Sequence, residues 1–423
     1  MLKPEENERL TRVGAGTPMG RLLRRYWLPA ALSEELPEPD GAPVRVRMLG
    51  EDLIAFRDSE GKVGLLEAYC PHRRAPLFFG RNENCGLRCV YHGWKFDRTG
   101  ACVDMPSEPP ESNFKDKVTI TAYPVWEGAG MVWAYMGPPE LMPAPPDYEL
   151  VRAPASHRCV SKTIEHCNWL QALEGGLDTS HSSFLHNNRL GDHGALRSAD
   201  TAPRLEVERT DYGYTYAGIR KAGSRHYVRA YHYVMPAQQM RGRVSAWRGG
   251  GLEEIPTLNG HIWVPLDDYT TAVYNWMYAY NPEIPLSREF VLATEQQFGR
   301  APEDLIPGTF ELKRNLANNF MIDRQAQKTR TFTGIEGINT QDFAVQEGMG
   351  PIVDRSKEHL GSSDRAIAVM RQLLLEAVAA VERGEAPRGV DPVTYRDVRP
   401  VDLVVELTGP WREVLKEEMR AKF

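Results

Sequence analysis

The chain has 423 residues and a formal net charge of −6, with 42% hydrophobic and 9% aromatic residues. That length predicts two domains, the balance of charge argues against nucleic acid as a partner, and no run of about 18 apolar residues predicts a membrane span. The opening MLKPEENERLTRVG lacks the apolar stretch of a secretory signal, and six cysteines in so long a chain do not make a disulfide scaffold. Together these predict a cytoplasmic protein with reduced thiols.

The first part reads as short β-strands separated by Gly, Asp and Pro: VRVRMLG, DLIAFRD, VGLLEAY, VTITAY and MVWAYMG. Between them lie two loops that pair unlike residues. Cys70-Pro71-His72 is followed by sixteen residues and then by Cys89-Val90-Tyr91-His92. Two Cys and two His suit a tetrahedral zinc site. They also suit a Rieske cluster, in which two Cys bind one iron of a [2Fe–2S] pair and two His the other. Zinc fingers usually begin with a C-x₂₋₄-C pair, whereas here each loop supplies one thiolate and one imidazole, which favours the cluster. Cys85 lies four residues before Cys89, but no His follows it at loop spacing. It reads as a small buried or half-buried thiol, as do Cys102, Cys159 and Cys167.

Residues 137–147, GPPELMPAPPD, hold five prolines in eleven positions and predict an extended linker. The expected domains are 1–140 and 148–423. After the linker, NWLQALEGGLDTSHSSFLH (168–186) predicts a helix with Asn168 as N-cap. RLEVERTDYGYTYAGIR, HYVRAYHYVM, GHIWVPLD and AVYNWMYAY alternate as sheet strands do. Residues 366–384 predict a helix with a Gly stop, and 411–422 a terminal helix.

The 168–186 segment carries D-x₂-H-x₄-H: Asp178, His181 and His186, with Glu174 four residues before Asp178. Two His and one carboxylate on one face of a metal, with open positions for O₂, are the ligand set of non-haem Fe(II) oxygenases; the bland alternative is two solvated His on an amphipathic helix. Positions i and i+5 of a regular helix point ~140° apart. A shared metal therefore requires a π-bulge, or a helix that ends between His181 and His186. Asp178, one turn from His181, suits a hydrogen bond to its imidazole N–H better than the metal itself. The carboxylate ligand must come from further along. Segment 334–361 offers Asp342, Glu347 and Asp354, of which Asp342, opening a predicted helix after Asn339-Thr340, is the choice. Asp323 reads as structural or paired with Arg324.

Residues 220–248 contain Arg220, Lys221, Arg225, Arg229, Arg241, Arg243 and Arg248 and no Asp or Glu. Arg229, Arg241 and Arg243 are candidates for binding an aromatic carboxylate through paired hydrogen bonds. An acidic reductase, or strand pairing alone, would explain the same bias.

CPHRRAPLFFG, CVYHGWKFD, NWLQALEGGLDTSH, FMIDRQAQKTRTFTGIEGINTQDFAVQEGMG and DRSKEHLG together resemble the phthalate dioxygenase group of Rieske oxygenases, over nearly the whole chain. The resemblance implies an α+β protein: an N-terminal all-β Rieske domain, then a catalytic domain with an antiparallel sheet framed by helices. It implies Cys70, His72, Cys89 and His92 as cluster ligands and His181, His186 and Asp342 as ligands of a mononuclear Fe(II). It also implies a head-to-tail trimer or a dimer of trimers, with Asp178 bridging a neighbour's cluster histidine to His181. Electrons would come from an NAD(P)H-dependent flavin/iron–sulfur reductase. O₂ would then cis-dihydroxylate or hydroxylate a small aromatic substrate, or O-demethylate a methoxy-aromatic acid. A Rieske electron carrier alone is the non-enzyme alternative, and the ~275 residues after the linker speak against it, since such a carrier needs only one domain.

Overall fold

The computed structural model describes residues 2–190, 200–242 and 256–423. Two short helices, α1 (Pro4–Thr11) and α2 (Pro18–Leu23), precede β1 (Trp27–Leu32). Next come β2 (Val44–Met48), β3 (Glu51–Arg57), β4 (Val63–Glu67), β5 (Arg81–Glu83), β6 (Gly86–Arg88), β7 (Lys95–Phe96), β8 (Cys102–Asp104), β9 (Val125–Gly128) and β10 (Met131–Tyr135). They form three antiparallel sheets, in the orders β1-β10-β9, β2-β3-β4 and β5-β6-β7-β8. The predicted strand VTITAY is not one: residues 118–123 make only isolated bridges, Thr119 with Ala101 and Ala122 with Leu66.

The proline-rich stretch holds one 3₁₀ turn, Pro139–Leu141, and is tied down where Trp27 Nε1–H donates to the Pro143 carbonyl at 3.0 Å. Beyond it come α3 (Glu149–Arg152), β11 (Arg158–Glu165) and α4 (Trp169–Leu177). Strands β12 (Arg204–Thr210), β13 (Gly213–Ala222), β14 (Arg225–Val234), β15 (Gln238–Gly242), β16 (Thr257–Pro265) and β17 (Thr271–Ala279) follow. The chain closes with α5 (Arg288–Phe298), α6 (Arg324–Thr329), α7 (Ile338–Gly348), α8 (Arg365–Glu382), β18 (Val401–Val405) and α9 (Trp411–Val414). The eight-stranded antiparallel sheet runs β11-β17-β16-β15-β14-β13-β12. β18 joins β14 at residues 226–230, below the point where β15 leaves it at 232–234. The predicted Gly stop of α8 is present: Gly384 has φ +80°, and its N–H returns to the Val381 carbonyl. The expected terminal helix shrinks to the four residues of α9.

One buried core joins Leu10, Leu22 and Leu23 of the N-terminal helices, Trp133 and Tyr135 of β10, Trp169 and Leu173 of α4, and Tyr274 and Trp276 of β17. A second, smaller core holds Ile54, Phe56, Leu66, Leu87, Trp94 and Phe96 around Cys70 and Cys89.

The predicted helix over 168–186 is much shorter. Asn168 caps it as expected, accepting the Leu170 N–H, but it ends at Leu177, before both histidines and with no π-bulge. The cause lies on β13. The Tyr216 hydroxyl donates to the Leu177 carbonyl at 2.9 Å, and Arg220 Nη2 to the Thr179 carbonyl at 3.0 Å. These donors satisfy carbonyls that another helical turn would have used. Gly175 and Gly176 serve close approach: a Cβ would lie 1.9 Å from Gln346 Nε2 at the first and 2.2 Å from the Trp263 ring at the second.

Candidate metal centres and substrate cavity

The two Cys–His loops are built alike. Cys70 N–H donates to the Ala75 carbonyl and the Arg74 N–H returns to Cys70. Cys89 N–H likewise donates to Trp94, and the Gly93 N–H returns to Cys89. In both loops the fourth residue after the cysteine is left-handed, Arg74 at φ +60° and Gly93 at φ +78°. The loops converge so that the His72 and His92 rings lie 4.4 Å apart, with Trp94 stacked on His72. Cys70 and Cys89 are buried, His72 is exposed and His92 half-buried. Burial, with Cys89 beside it, pushes the Cys70 thiol up to about 11. Burial, then His72, lowers the His92 imidazole. The His92 Nδ1 is buried without a hydrogen-bond partner among the described residues. Two buried sulfurs and two imidazoles, one with an unused nitrogen, fit a group that takes two thiolates inside and two histidines outside. Cys85 stays out of this set, in the β5–β6 turn where Asn84 and Cys85 both have positive φ.

The second cluster sits between the large sheet and α7. His181 opens a 3₁₀ turn, His181–Ser183, and His186 lies five residues on. Their Nε2 atoms are 3.0 Å apart. Asp342, in the second turn of α7, places Oδ1 3.6 Å from His181 Nε2 and 3.2 Å from His186 Nε2. One ligand atom from each lies within 4.8 Å of the others, the only such His/Cys/Asp/Glu triad among the described residues. Burial works against charge on Asp342, but His186, His181 and Arg241 outweigh it and hold the carboxyl below its usual range. Burial lowers His186, so a neutral imidazole stands ready to bind a cation. The donor set, two imidazoles and one carboxylate facing a common point, fits a divalent iron.

Partners behind the triad fix its orientation. Arg300 binds Glu295 through Nε and Nη2 and gives Nη1 to Asn339 Oδ1 at 2.6 Å; the Asn339 amide in turn reaches Asp342 Oδ2 at 3.5 Å. Asp178 Oδ2 lies 3.7 Å from His181 Nδ1, on the ring edge away from the triad. Sequence reasoning missed Asn339, Gln341, Tyr216 and His261. Of these only Gln341, next to Asp342 in the chain, carried a local signal.

The other sequence candidates fall elsewhere. Glu174 is buried between Arg355 and Arg371. Glu347 accepts the His166 N–H. Asp323 caps α6, accepting the Gln325 and Ala326 N–H groups, and Arg324 pairs with Gln327 instead. Asp354 caps a 3₁₀ turn at the surface. Arg229 donates to Asp402, its cross-strand partner on β18. Arg220 closes the end of α4. Arg243 lies outside the described residues. Arg241 does reach the site. It lies half-buried beside Asp342 and His181, with Nε on Asn259 Oδ1 at 2.9 Å and Nη2 on His261 Nε2 at 2.6 Å. Burial pushes it down to about 10. No carboxylate pairs with it within 4.0 Å among the described residues.

Two spaces meet at His181. A cavity of about 380 Å³ is lined by Phe184, Leu185, Ile322, Phe332, Ile335 and Val345. A narrow cleft runs under the sheet between Arg241, His261, Trp263 and Glu165 on one side and Asn339 and Asp342 on the other.

Comparison with known proteins defines the class. Residues 26–124 match the Rieske [2Fe-2S] domain, and residues 134–422 match the family described as "LigXa C-terminal domain like". The first match removes zinc as the reading of the Cys–His loops. The chain therefore belongs to the Rieske oxygenases, as the oxygenase subunit of a multicomponent enzyme, and within them to the phthalate dioxygenase group. It is 44% identical to the phthalate 4,5-dioxygenase oxygenase subunit of Pseudomonas putida, over 92% of this chain and 89% of that one. It is 34% identical to the 5,5'-dehydrodivanillate O-demethylase oxygenase subunit of a Sphingobium species, over 100% of this chain and 90% of that one. The fold matches that of dicamba monooxygenase bound to dicamba, with a TM-score of 0.61 at 20% identity, over 86% of this chain and 99% of that one. No helix among the described residues is long and apolar enough to cross a membrane.

Proposed function

We propose that this subunit oxidises a small aromatic carboxylate with O₂, using a [2Fe–2S] cluster on Cys70, His72, Cys89 and His92 and an iron on His181, His186 and Asp342. The observation that carries the substrate class is Arg241, a half-buried guanidinium beside the ligand triad whose hydrogen bonds among the described residues go to neutral Asn259 and His261. A partly desolvated cation with no carboxylate partner among the described residues is a ready site for a ligand that brings one. The phthalate substrate named for the Pseudomonas relative is of that class.

When bound, the cluster passes single electrons and the iron binds and activates O₂. The chain's own residues do the rest. Arg241 holds the carboxylate by paired, charge-assisted hydrogen bonds. Phe184, Phe332 and Ile335 hold the ring and keep water away. Asp178, on the outer edge of His181, links that imidazole to a cluster histidine of the next subunit in a head-to-tail trimer, alone or stacked in pairs. Two apolar surfaces support such packing. Val90, Tyr91 and Phe114 are exposed around the cluster loops, and Phe184 and Phe332 around the second site. The electron source is a separate NAD(P)H-dependent reductase.

The test is a screen of aryl carboxylates and methoxy-aromatic acids for substrate-stimulated NAD(P)H and O₂ consumption by the holoenzyme with a supplied reductase. Aryl carboxylates are expected to stimulate both and to yield a hydroxylated product. Stimulation only by aromatics lacking a carboxylate overturns the substrate class. The Sphingobium relative favours a second reading, O-demethylation of a methoxy-aromatic acid, and release of formaldehyde distinguishes it.

A further inference from the structure

We infer that Gln341 is a positioning residue that fixes the tautomer of His186, so that its Nε2 lone pair is presented to the iron; the inference rests on the ligand set proposed above. Gln341 is fully buried, with 0% exposure, and lies on the same turn of α7 as Asp342. Its Oε1 is 2.8 Å from His186 Nδ1. Its Nε2 is 2.9 Å from Asn188 Oδ1 and 2.8 Å from the Ile335 carbonyl oxygen.

The direction of each bond follows. A backbone carbonyl only accepts, so the side-chain atom facing Ile335 must be the NH₂ group. The atom facing His186 is then the amide oxygen, which also only accepts. The His186 Nδ1 must therefore carry the proton, and its Nε2 is left with a free lone pair. That lone pair points toward Asp342 Oδ1 at 3.2 Å, where the third ligand already stands. A flipped amide would set its oxygen against the Ile335 carbonyl, which has no proton to give.

The two imidazoles are thereby unlike. Among the described residues His181 Nδ1 has no neutral acceptor; it faces the Asp178 carboxylate at 3.7 Å. His186 is held by a neutral amide with three hydrogen bonds of its own. The helix that delivers the carboxylate ligand also locks one histidine ligand, one residue before it. Such outer partners typically change metal affinity ~10–100-fold.

The experiment compares iron release to a chelator from the wild-type holoenzyme, Gln341→Leu and Gln341→Glu, with the [2Fe–2S] absorbance as the internal control for folding. Gln341→Leu removes the acceptor and both donors. Gln341→Glu, taking a proton between these acceptors, keeps an acceptor against Nδ1 and gives its O–H to the Ile335 carbonyl, losing only the bond to Asn188. The expected result is iron loss ~10–100-fold faster from Gln341→Leu with cluster absorbance unchanged, and release from Gln341→Glu within a few-fold of wild type. Equal losses from both variants assign Gln341 a purely structural role and overturn the inference, as does wild-type retention by Gln341→Leu. If Gln341→Leu does not fold, Gln341→Met, unbranched and of similar length, takes its place. A wild-type enzyme with a full cluster but no iron at this site fails the ligand assignment itself, a different outcome from either.

Discussion

Asp178 Oδ2 stands 3.7 Å from His181 Nδ1, while the other carboxylate oxygen accepts the Ser180 N–H at 2.6 Å. The carboxylate is therefore turned to the ring edge opposite the triad, since His181 meets His186 and Asp342 through Nε2. Burial opposes its charge, yet contact with His181 holds Asp178 below its ordinary range, and it stays ionised at neutral pH. In Asp178→Asn the shape is kept and the charge is lost. Both metal centres should load normally while turnover falls by at least ~10–100-fold, as when a partner behind a metal ligand is removed. Metal analysis and reduced-state EPR, set beside steady-state rates, check this. Normal turnover with both centres loaded would remove Asp178 from the electron path.

Much of this site was legible in the sequence because its chemistry is local. C-x-H and C-x₂-H, and D-x₂-H-x₄-H, are spacings that one loop can satisfy alone. What the sequence hid was decided at long range. Nothing within 168–186 says that α4 stops at Leu177, because the groups that stop it, Tyr216 and Arg220, arrive from β13. Gly175 and Gly176, poor helix formers by composition, are contact points for Gln346 and Trp263. Arg229 and Arg241 were equivalent in composition. Strand register separates them: β18 brings Asp402 opposite Arg229, whereas Arg241 faces Asn259 on β16.

Arg241 is the residue on which the substrate class turns. Arg241→Gln keeps a polar group near Asn259 and His261 but removes the charge. A hydrogen bond to a charged group contributes about 1.5–3 kcal/mol, so kcat/KM for the carboxylate substrate should fall roughly 10–100-fold. The loss should be much smaller for an uncharged analogue of the same ring, such as the amide. An equal loss for both would place Arg241 in the scaffold rather than on the substrate.

Glu174 tests what holds α4. Its carboxylate accepts from Arg355 Nε and Nη2 and from Arg371 Nε, and Arg371 also pairs with Glu358. Burial opposes the charge, and Arg355 and Arg371 overcome it. Glu174→Ala leaves Arg355, which is 0% exposed, without its carboxylate. Breaking a buried pair on one side costs about 3–5 kcal/mol. A matching drop in the urea midpoint is expected, read against a variant of an exposed pair such as Arg383–Glu385, which should leave it nearly unchanged.

Glu165 gives the pH dependence. It is fully buried on β11 and lines the cleft that also holds Asp342. One oxygen takes a weak bond from the Cys167 thiol at 3.4 Å, and the other has no hydrogen-bond partner among the described residues. Burial, with Glu347 adding to it, raises its pKa well above the ordinary value. The folded chain thus keeps a proton that the unfolded chain releases above its own pKa of about 4.3. Below that value both states are protonated and the group has no effect on the balance. Above it, ionisation favours the unfolded state by up to ~1.4 kcal/mol per pH unit, until the folded pKa is reached. Glu165→Gln, neutral and nearly isosteric, removes this loss. Its urea midpoint should match wild type at about pH 4 and exceed it increasingly toward about pH 8. A gap that stays constant across that range would mean that Glu165 is ionised in the folded protein, with a cation beside it to balance the charge.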